Sequence, residues 1–359
     1  MVVPGSVANL GGGFDTLGVA VQLYLRARIV NVRDDGAARL TVTTSTPPVR
    51  GQNAVERAFE AIARRTGVRA PSVDVEVESD IPMAAGLGSS AAATVAGLRL
   101  FERVTKLAAD SVLLGVATML EGHADNAAPA LFGGLNSVLQ VEQGDPVTMR
   151  WTWPEDVQLV VATPAVGLAT AKARAALADH VSRADAIFNL QRVLALVHAL
   201  QHGEYDRIRE AVRDRWHQPA RSSLVPLLGE VLAIDDPDVL GAFLSGAGPS
   251  VALLVKRDVG RVKQMLTSLY ARAGVDATIR TLDVHQTTPA PVLSIAGSTT
   301  NAILTWPVKN VPGVLQKTED LANQNWLAVS NPVSGVSSSN SVSVPLTDTN
   351  GFFRLRMSE

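Results

Sequence analysis

The sequence contains no cysteine. That excludes a disulfide framework, a thiolate metal site and a cysteine nucleophile together. Aromatic residues make up only 4%, and charged residues only 18% with a formal net charge of −2. So neutral a chain has no basic field for gathering a polyanion, and nucleic acid is not an expected partner. A run of about 20 apolar residues is also missing, and "MVVPGSVANLGGGFD" lacks the charged and apolar regions of a secretory leader. No membrane association is expected, and the chain reads as cytoplasmic.

What is present is room for two or three domains in 359 residues. From Val2 to about Leu282, strand-like runs ("VQLYLRARIVNV", "ARLTVTTS", "VDVEVES", "VQLVVATP", "VALLVK") alternate with helical ones. The helical periodicity is strongest over Asn53–Arg65, Ser90–Leu107, Asp185–Gln201 and Val259–Ala273. This is an α/β or α+β pattern. Beyond Pro289 the composition turns to Ser, Asn and Thr, with short alternating pieces such as "NAILTW", "SVSVPL" and "FFRLRM". That segment, after a Pro/Thr-rich linker "HQTTPAP", has the composition of a disordered tail or of a small all-β module, and its alternating apolar residues with Trp306, Trp326, Phe352 and Phe353 supply a core that favours the module.

Four polar clusters stand out within the first part. "IPMAAGLGSSAA" places Gly86, Gly88, Ser89 and Ser90 just before a predicted helix. A helix N-terminus presents unpaired N–H groups and the positive end of the macrodipole, so such a loop suits phosphate; taken alone it reads more readily as an ordinary capped turn. It is neither a Walker A motif nor G-x-G-x-x-G. "LSGAGPS" (Leu244–Ser250) repeats the chemistry and suggests a second concavity of phosphate size. Near the start, Asn9 and Asp15 flank a triple glycine, and "MLEGHADNAAPALFGGL" gathers Glu121, His123, Asp125 and Asn126 before an apolar, strand-like run. A carboxylate with a nearby His and Asp is an acid/base or metal constellation, or else a polar loop that caps the next element.

Taken in order, "GSVANLGGGFDTLG", "PMAAGLGSSAA", "EGHADNAAPALFGG" and "LSGAGPS" resemble the motifs of the GHMP kinase superfamily, and within it of the homoserine kinases. "TAKAR", "DRWHQPAR" and the Leu-rich segment around Asn189 resemble later landmarks of that family. The resemblance spans about Val2 to Leu282. It implies an α+β two-domain GHMP kinase fold: a ribosomal-protein-S5-domain-2-like N-terminal part over 1–150 that binds ATP and a ferredoxin-like C-terminal part over 151–286; the appended all-β module over 287–359 lies beyond it and resembles small β-sandwich modules.

The same resemblance implies the site. Pro82, Gly86, Leu87, Gly88, Ser89 and Ser90 would cradle the phosphates of ATP, with Ser90 and Glu121 on Mg²⁺ and the adenine between strands and the first long helix. Arg174 and Arg221 match carboxylate-binding arginines, and His123 a further substrate contact. Asn9, Asp15, Asp125 and Asn126 match the catalytic set, with a base role for Asp125 left open, and Gly246 and Gly248 match the last motif. The substrate would be L-homoserine and a homodimer is admitted. Three departures loosen the match: Gly12 and Ala124 where the family has Pro, and Ala169-Thr170 where it has Ser-Thr. The first strand is also expected to be short enough to cost edge pairing. Another small-alcohol kinase of the superfamily, or a silent metabolite-binding relative acting through its β module, are the alternatives.

Overall fold

The computed structural model of the chain describes residues 1–49, 51–106 and 109–286, then 294–297, 301–307, 313–318, 326–329, 334–336, 339–345 and 352–357. Two compact units separate by their internal contacts, Met1–Gln286 and Thr287–Glu359.

The first unit opens with strand β1 (Val2–Ala8) and β2 (Leu17–Arg33), followed by β3 (Leu40–Thr46), helix α1 (Ala54–Thr66) and β4 (Ser72–Ser79). Next come α2 (Ser89–Thr105), α3 (Asp110–Glu121), α4 (Ala127–Phe132), β5 (Leu135–Leu139) and β6 (Val147–Trp151). These strands form one six-stranded sheet in the order β3-β4-β2-β5-β6, with β1 also paired to β2. All pairs are antiparallel except β3 with β4. The sheet is organised by β2, whose 17 residues are long enough to pair β1, β4 and β5. β1 is paired from Val2 to Ala8, so the expected loss of edge pairing does not occur.

The helices lie where local sequence directs them. Asn53 caps α1 in a capping box with Glu56, and Gly67 ends it in the left-handed region. α1 and α2 touch almost backbone to backbone: a Cβ on Gly97 would stand 2.2 Å from the Val55 carbonyl oxygen. Phe59 and Phe101 meet edge-on across that contact, with centroids 5.5 Å apart, in a core shared with Val7, Leu17 and Val19. Sequence periodicity misses α4. "AAPALF" reads as a continuation of an apolar strand, yet it forms a six-residue helix before β5 begins. At that length an apolar run carries no period to tell helix from strand.

The remainder of the unit is β7 (Gln158–Pro164), α5 (Thr170–Ala175), α6 (Arg183–His202), α7 (Ile208–Ala211), α8 (His217–Arg221), α9 (Leu228–Leu232), β8 (Val239–Leu244), β9 (Val251–Val255), α10 (Val259–Arg272) and β10 (Ala277–Leu282). Its four strands make an antiparallel sheet in the order β10-β7-β9-β8, with its own core of Val160, Leu253, Val262, Leu266 and Tyr270 among others. After β10 the chain returns to the first sheet: His285 N–H donates to the Ala20 carbonyl and Gln22 N–H to that of Asp283. Among the described residues, no helix is long and apolar enough to cross a membrane.

In the second unit the described strands form two antiparallel sheets. One orders Ser294–Gly297, Asn301–Pro307, Ser339–Pro345 and Ser334–Val336; the other orders Leu327–Ala328, Gly313–Thr318 and Phe352–Met357. Leu304, Leu315 and Val342 are buried there, with Phe353 packed against them and Trp326 half-buried. The side chains of Trp306 and Phe352, and linker residues 287–291, lie outside the described residues.

Candidate active site

A cleft of about 310 Å³ opens where the β1–β2 loop, the α2 N-terminus, the turn after α3, α5, α8 and the β8–β9 turn converge. Asn9, Asp15, Gly86, Gly88, Ser89, Ser90, Glu121, His123, Asp125, Asn126, Arg174, Arg221 and Gly246 all line it. Pro82, Leu87 and Gly248 are not part of its wall. Leu87 is buried in the core, where its carbonyl accepts from Ser6 N–H.

The α2 end opens on the cleft without a capping side chain. Its N-cap is Gly88, at φ 71°. A Cβ at Gly88 would stand 2.1 Å from Ser6 Oγ, so only glycine lets the loop pass β1 this closely. The second glycine-rich turn is not a separate concavity. Ser245 Oγ donates to the Gly86 carbonyl at 2.5 Å and Ser250 N–H to that of Ala85, so "LSGAGPS" braces the first loop from behind while Gly246 and Ala247 face the same cleft.

Glu121 ends α3 beside this loop. Its Oε1 accepts from Ser90 Oγ at 3.0 Å and from Thr94 Oγ1 at 2.6 Å. Thr94, buried one turn further along α2, was missed by sequence reasoning; its i, i+4 spacing from Ser90 is the signal that would have found it.

Across the cleft, charges are already paired. Arg174 forks onto Asp15 with bonds of 3.0 and 2.7 Å, and that hydrogen bond raises the guanidinium pKa above its ordinary value. Asn9 accepts from Asp15 N–H and donates to the Gly246 carbonyl, which ties the first loop to the last. His123 Nδ1 meets Asp125 Oδ1 at 2.5 Å, and the same oxygen accepts Asn126 N–H and Nδ2. Burial pulls the His123 pKa down, but the bond and charge of Asp125 outweigh it and the net shift is upward.

Arg221 is 1% exposed and held by three acceptors: the Ala173 carbonyl, the Gly246 carbonyl and His217 Nδ1. Burial, and then the charge of Arg174, push its pKa down. His217 was present in "DRWHQPAR" but carried no assigned role; its i, i+4 spacing from Arg221 on α8 puts the two side by side. Asn189 supports this corner by bonding Asp214 at 2.6 Å. Phe14 packs over the guanidinium groups of both Arg174 and Arg221.

Residues 53–134 match the GHMP kinases N terminal domain family and residues 196–272 the GHMP kinases C terminal family. The chain is 36% identical to a homoserine kinase of Solibacter usitatus over 278 residues, covering 76% of this chain and 90% of the relative. It is 37% identical to a homoserine kinase of Thermus thermophilus over 296 residues, covering 80% and 96%. The crystal structure of homoserine kinase from Cytophaga hutchinsonii superposes with a TM-score of 0.70 at 27% identity, over 79% of this chain and 94% of that one. The fold is also that of L. major mevalonate kinase, at a TM-score of 0.58 and 17% identity over 80% of this chain and 96% of that one.

Proposed function

Because the chain belongs to the GHMP kinase family, among its homoserine kinases, we infer that it transfers the γ-phosphoryl group of ATP to the side-chain hydroxyl of L-homoserine and that this cleft carries the reaction. The observation that carries the assignment of the cleft is the meeting of an uncapped helix N-terminus with three arginines and three carboxylates in one cavity. A phosphate chain and a zwitterionic amino acid need those groups.

Phosphoryl transfer asks a protein chiefly to position reactants and offset charge. The N–H groups at the start of α2 face the phosphates, and the lack of side chains at Gly86 and Gly88 lets oxygens approach the backbone. Ser90 and Glu121 fit Mg²⁺, since their oxygens converge within 3.0 Å and hard oxygen donors are what that ion takes. Bound there, the ion would supply neutralisation of phosphate charge. Thr94 orients the Glu121 carboxylate toward Ser90. On the other side, Arg174 and Arg221 take the substrate carboxylate. In the cleft Asp15 already occupies the Arg174 fork, so an incoming carboxylate replaces it and leaves Asp15 facing the ammonium. Asp125 Oδ1 is saturated by three donors, an arrangement that holds His123 and Asn126 in place. Both reactants are cytoplasmic metabolites, the compartment this reading assigns.

A coupled ADP-release assay with homoserine, threonine, mevalonate and galactose tests the reading. Homoserine is expected to exceed the others by about a hundredfold or more in kcat/KM, because a site built for paired charges rejects substrates that leave one unpaired. Arg174→Ala should raise the homoserine KM by about thirtyfold or more, with the ATP KM little changed, as loss of a bidentate charged contact dictates. Equal turnover of 3-aminopropan-1-ol, which lacks the carboxylate, would overturn the arginine assignment.

A further inference from the structure

Among the described residues three arginines line the cleft, and two of them are committed to the protein. Arg174 spans Asp15, and Arg221 is buried against two carbonyls and His217. Arg57 is the third. Its side chain is exposed, and among the described residues it forms no ion pair or side-chain hydrogen bond. It sits on α1 one residue after the capping-box Glu56, on the helix that packs directly against α2. Arg174 and Arg221 belong instead with the β1–β2 loop, through Asp15 and through the bond of His217 to the Gly11 carbonyl. The free cation therefore comes from the α2 side of the cleft and the committed ones from the other.

That division meets a shortage of charge. The loop Pro82–Ser90 contains no Lys or Arg, and the nearest ionisable side chain bonded to it is the acidic Glu121. An ATP phosphate chain carries about four negative charges, whereas a helix N-terminus supplies about half a positive charge and a divalent cation two. A further cation is needed, and a guanidinium presents a planar fork to phosphate oxygens. We propose that Arg57 is a nucleotide-contacting residue that pairs with the phosphate chain of ATP. The proposal rests on the kinase reading of the cleft and adds to it a contact from α1. Arg57 is left unpartnered on α1 because its partner is the nucleotide.

Binding of MgADP and of adenosine to the full chain, by isothermal titration calorimetry, tests it with Arg57→Ala and Arg57→Lys. Arg57 is exposed on a capped helix, so equal melting curves by circular dichroism are expected for all three proteins. Arg57→Ala should weaken MgADP about tenfold and leave adenosine unchanged, the loss of one charge-assisted phosphate contact. Arg57→Lys should recover part of that loss, since it keeps the charge without the fork. In turnover the ATP KM should rise about tenfold while the homoserine KM stays within about twofold. Unchanged MgADP affinity in Arg57→Ala, with the unsubstituted chain binding normally, overturns the proposal. So does a parallel fall in adenosine affinity, which would place Arg57 against the base. Failure of the unsubstituted chain to bind MgADP would instead overturn the kinase reading of the cleft, and this contact with it.

Discussion

His217 has two ring nitrogens, and its neighbours assign a role to each. Gly11 offers only a carbonyl to Nε2, at 2.8 Å, so Nε2 carries the proton; Arg221 has only donors, so Nδ1 accepts from it at 3.2 Å. The neutral ring is thus the form that holds Arg221 in the cleft. Burial drives the His217 pKa below 6.5, and although Asp214 at 3.7 Å opposes that shift, the charge of Arg221 adds to it. With the folded-state pKa depressed, the unfolded chain binds the proton more readily. Stability is therefore fully present above 6.5 and is lost as pH falls from 6.5 toward the folded-state value. Urea midpoints from about pH 7.5 to about pH 5.5 should fall more steeply in the unsubstituted chain than in His217→Gln, which cannot titrate. Identical slopes would show that this imidazole does not report on folding. The homoserine KM should stay level while pH remains above the folded-state value and rise only once pH falls through it, because only then does an imidazolium form that cannot accept from Arg221.

At the scale of elements, two glycines set how closely the site's segments approach. Gly88 must turn the chain into α2 against Ser6, whose hydroxyl donates to Asn126 Oδ1 at 2.9 Å. Gly18 lies in β2, where a Cβ would stand 1.8 Å from the Asp125 carbonyl oxygen. Gly88→Ala combines a positive φ with a clash against the Ser6 hydroxyl and is expected to cost about 2–3 kcal/mol in chemical denaturation, with nucleotide affinity reduced as the loop shifts. Gly18→Ala meets only the steric conflict. It should displace Asp125 and lower kcat while MgADP still binds, since its clash is with the polar wall and not with the α2 loop. If both variants behaved alike in nucleotide binding, the two walls would not be separable in this way. α2 itself was legible, with Ala-rich apolar spacing beginning after a Gly/Ser turn, whereas α4 was not, because a six-residue apolar helix carries no distinguishing period.

For the whole molecule, the residues that line the cleft and the two large hydrophobic clusters all fall within Met1–Gln286. The Ser/Asn-rich segment beyond has a core of its own, around Leu304, Leu315 and Val342. A chain ending at Gln286 is accordingly expected to stay soluble, to melt within a few degrees of the full-length protein's first transition, and to phosphorylate homoserine with unchanged kcat/KM. Aggregation of the shortened chain would mean that a strand of the tail protects a sheet edge of the first unit, and that the boundary drawn from composition is misplaced.

Local order along the chain determined much of this protein. The helical period from Asn53, the glycine–serine turn before α2, the alternation of β4 and the four motif blocks were readable because each depends on residues a few positions apart. Tertiary structure alone decided which polar groups meet. Asp15 and Arg174 lie far apart in sequence yet fork onto each other, Ser245 reaches back to Gly86, and Thr94 and Ser90 share one oxygen of Glu121. Arg57, too, is brought to the cleft only by the packing of α1 on α2. Long-range pairing depends on how two sheets and their helices close around a cavity, and a carboxylate's partner is set by that closure rather than by its neighbours in the chain.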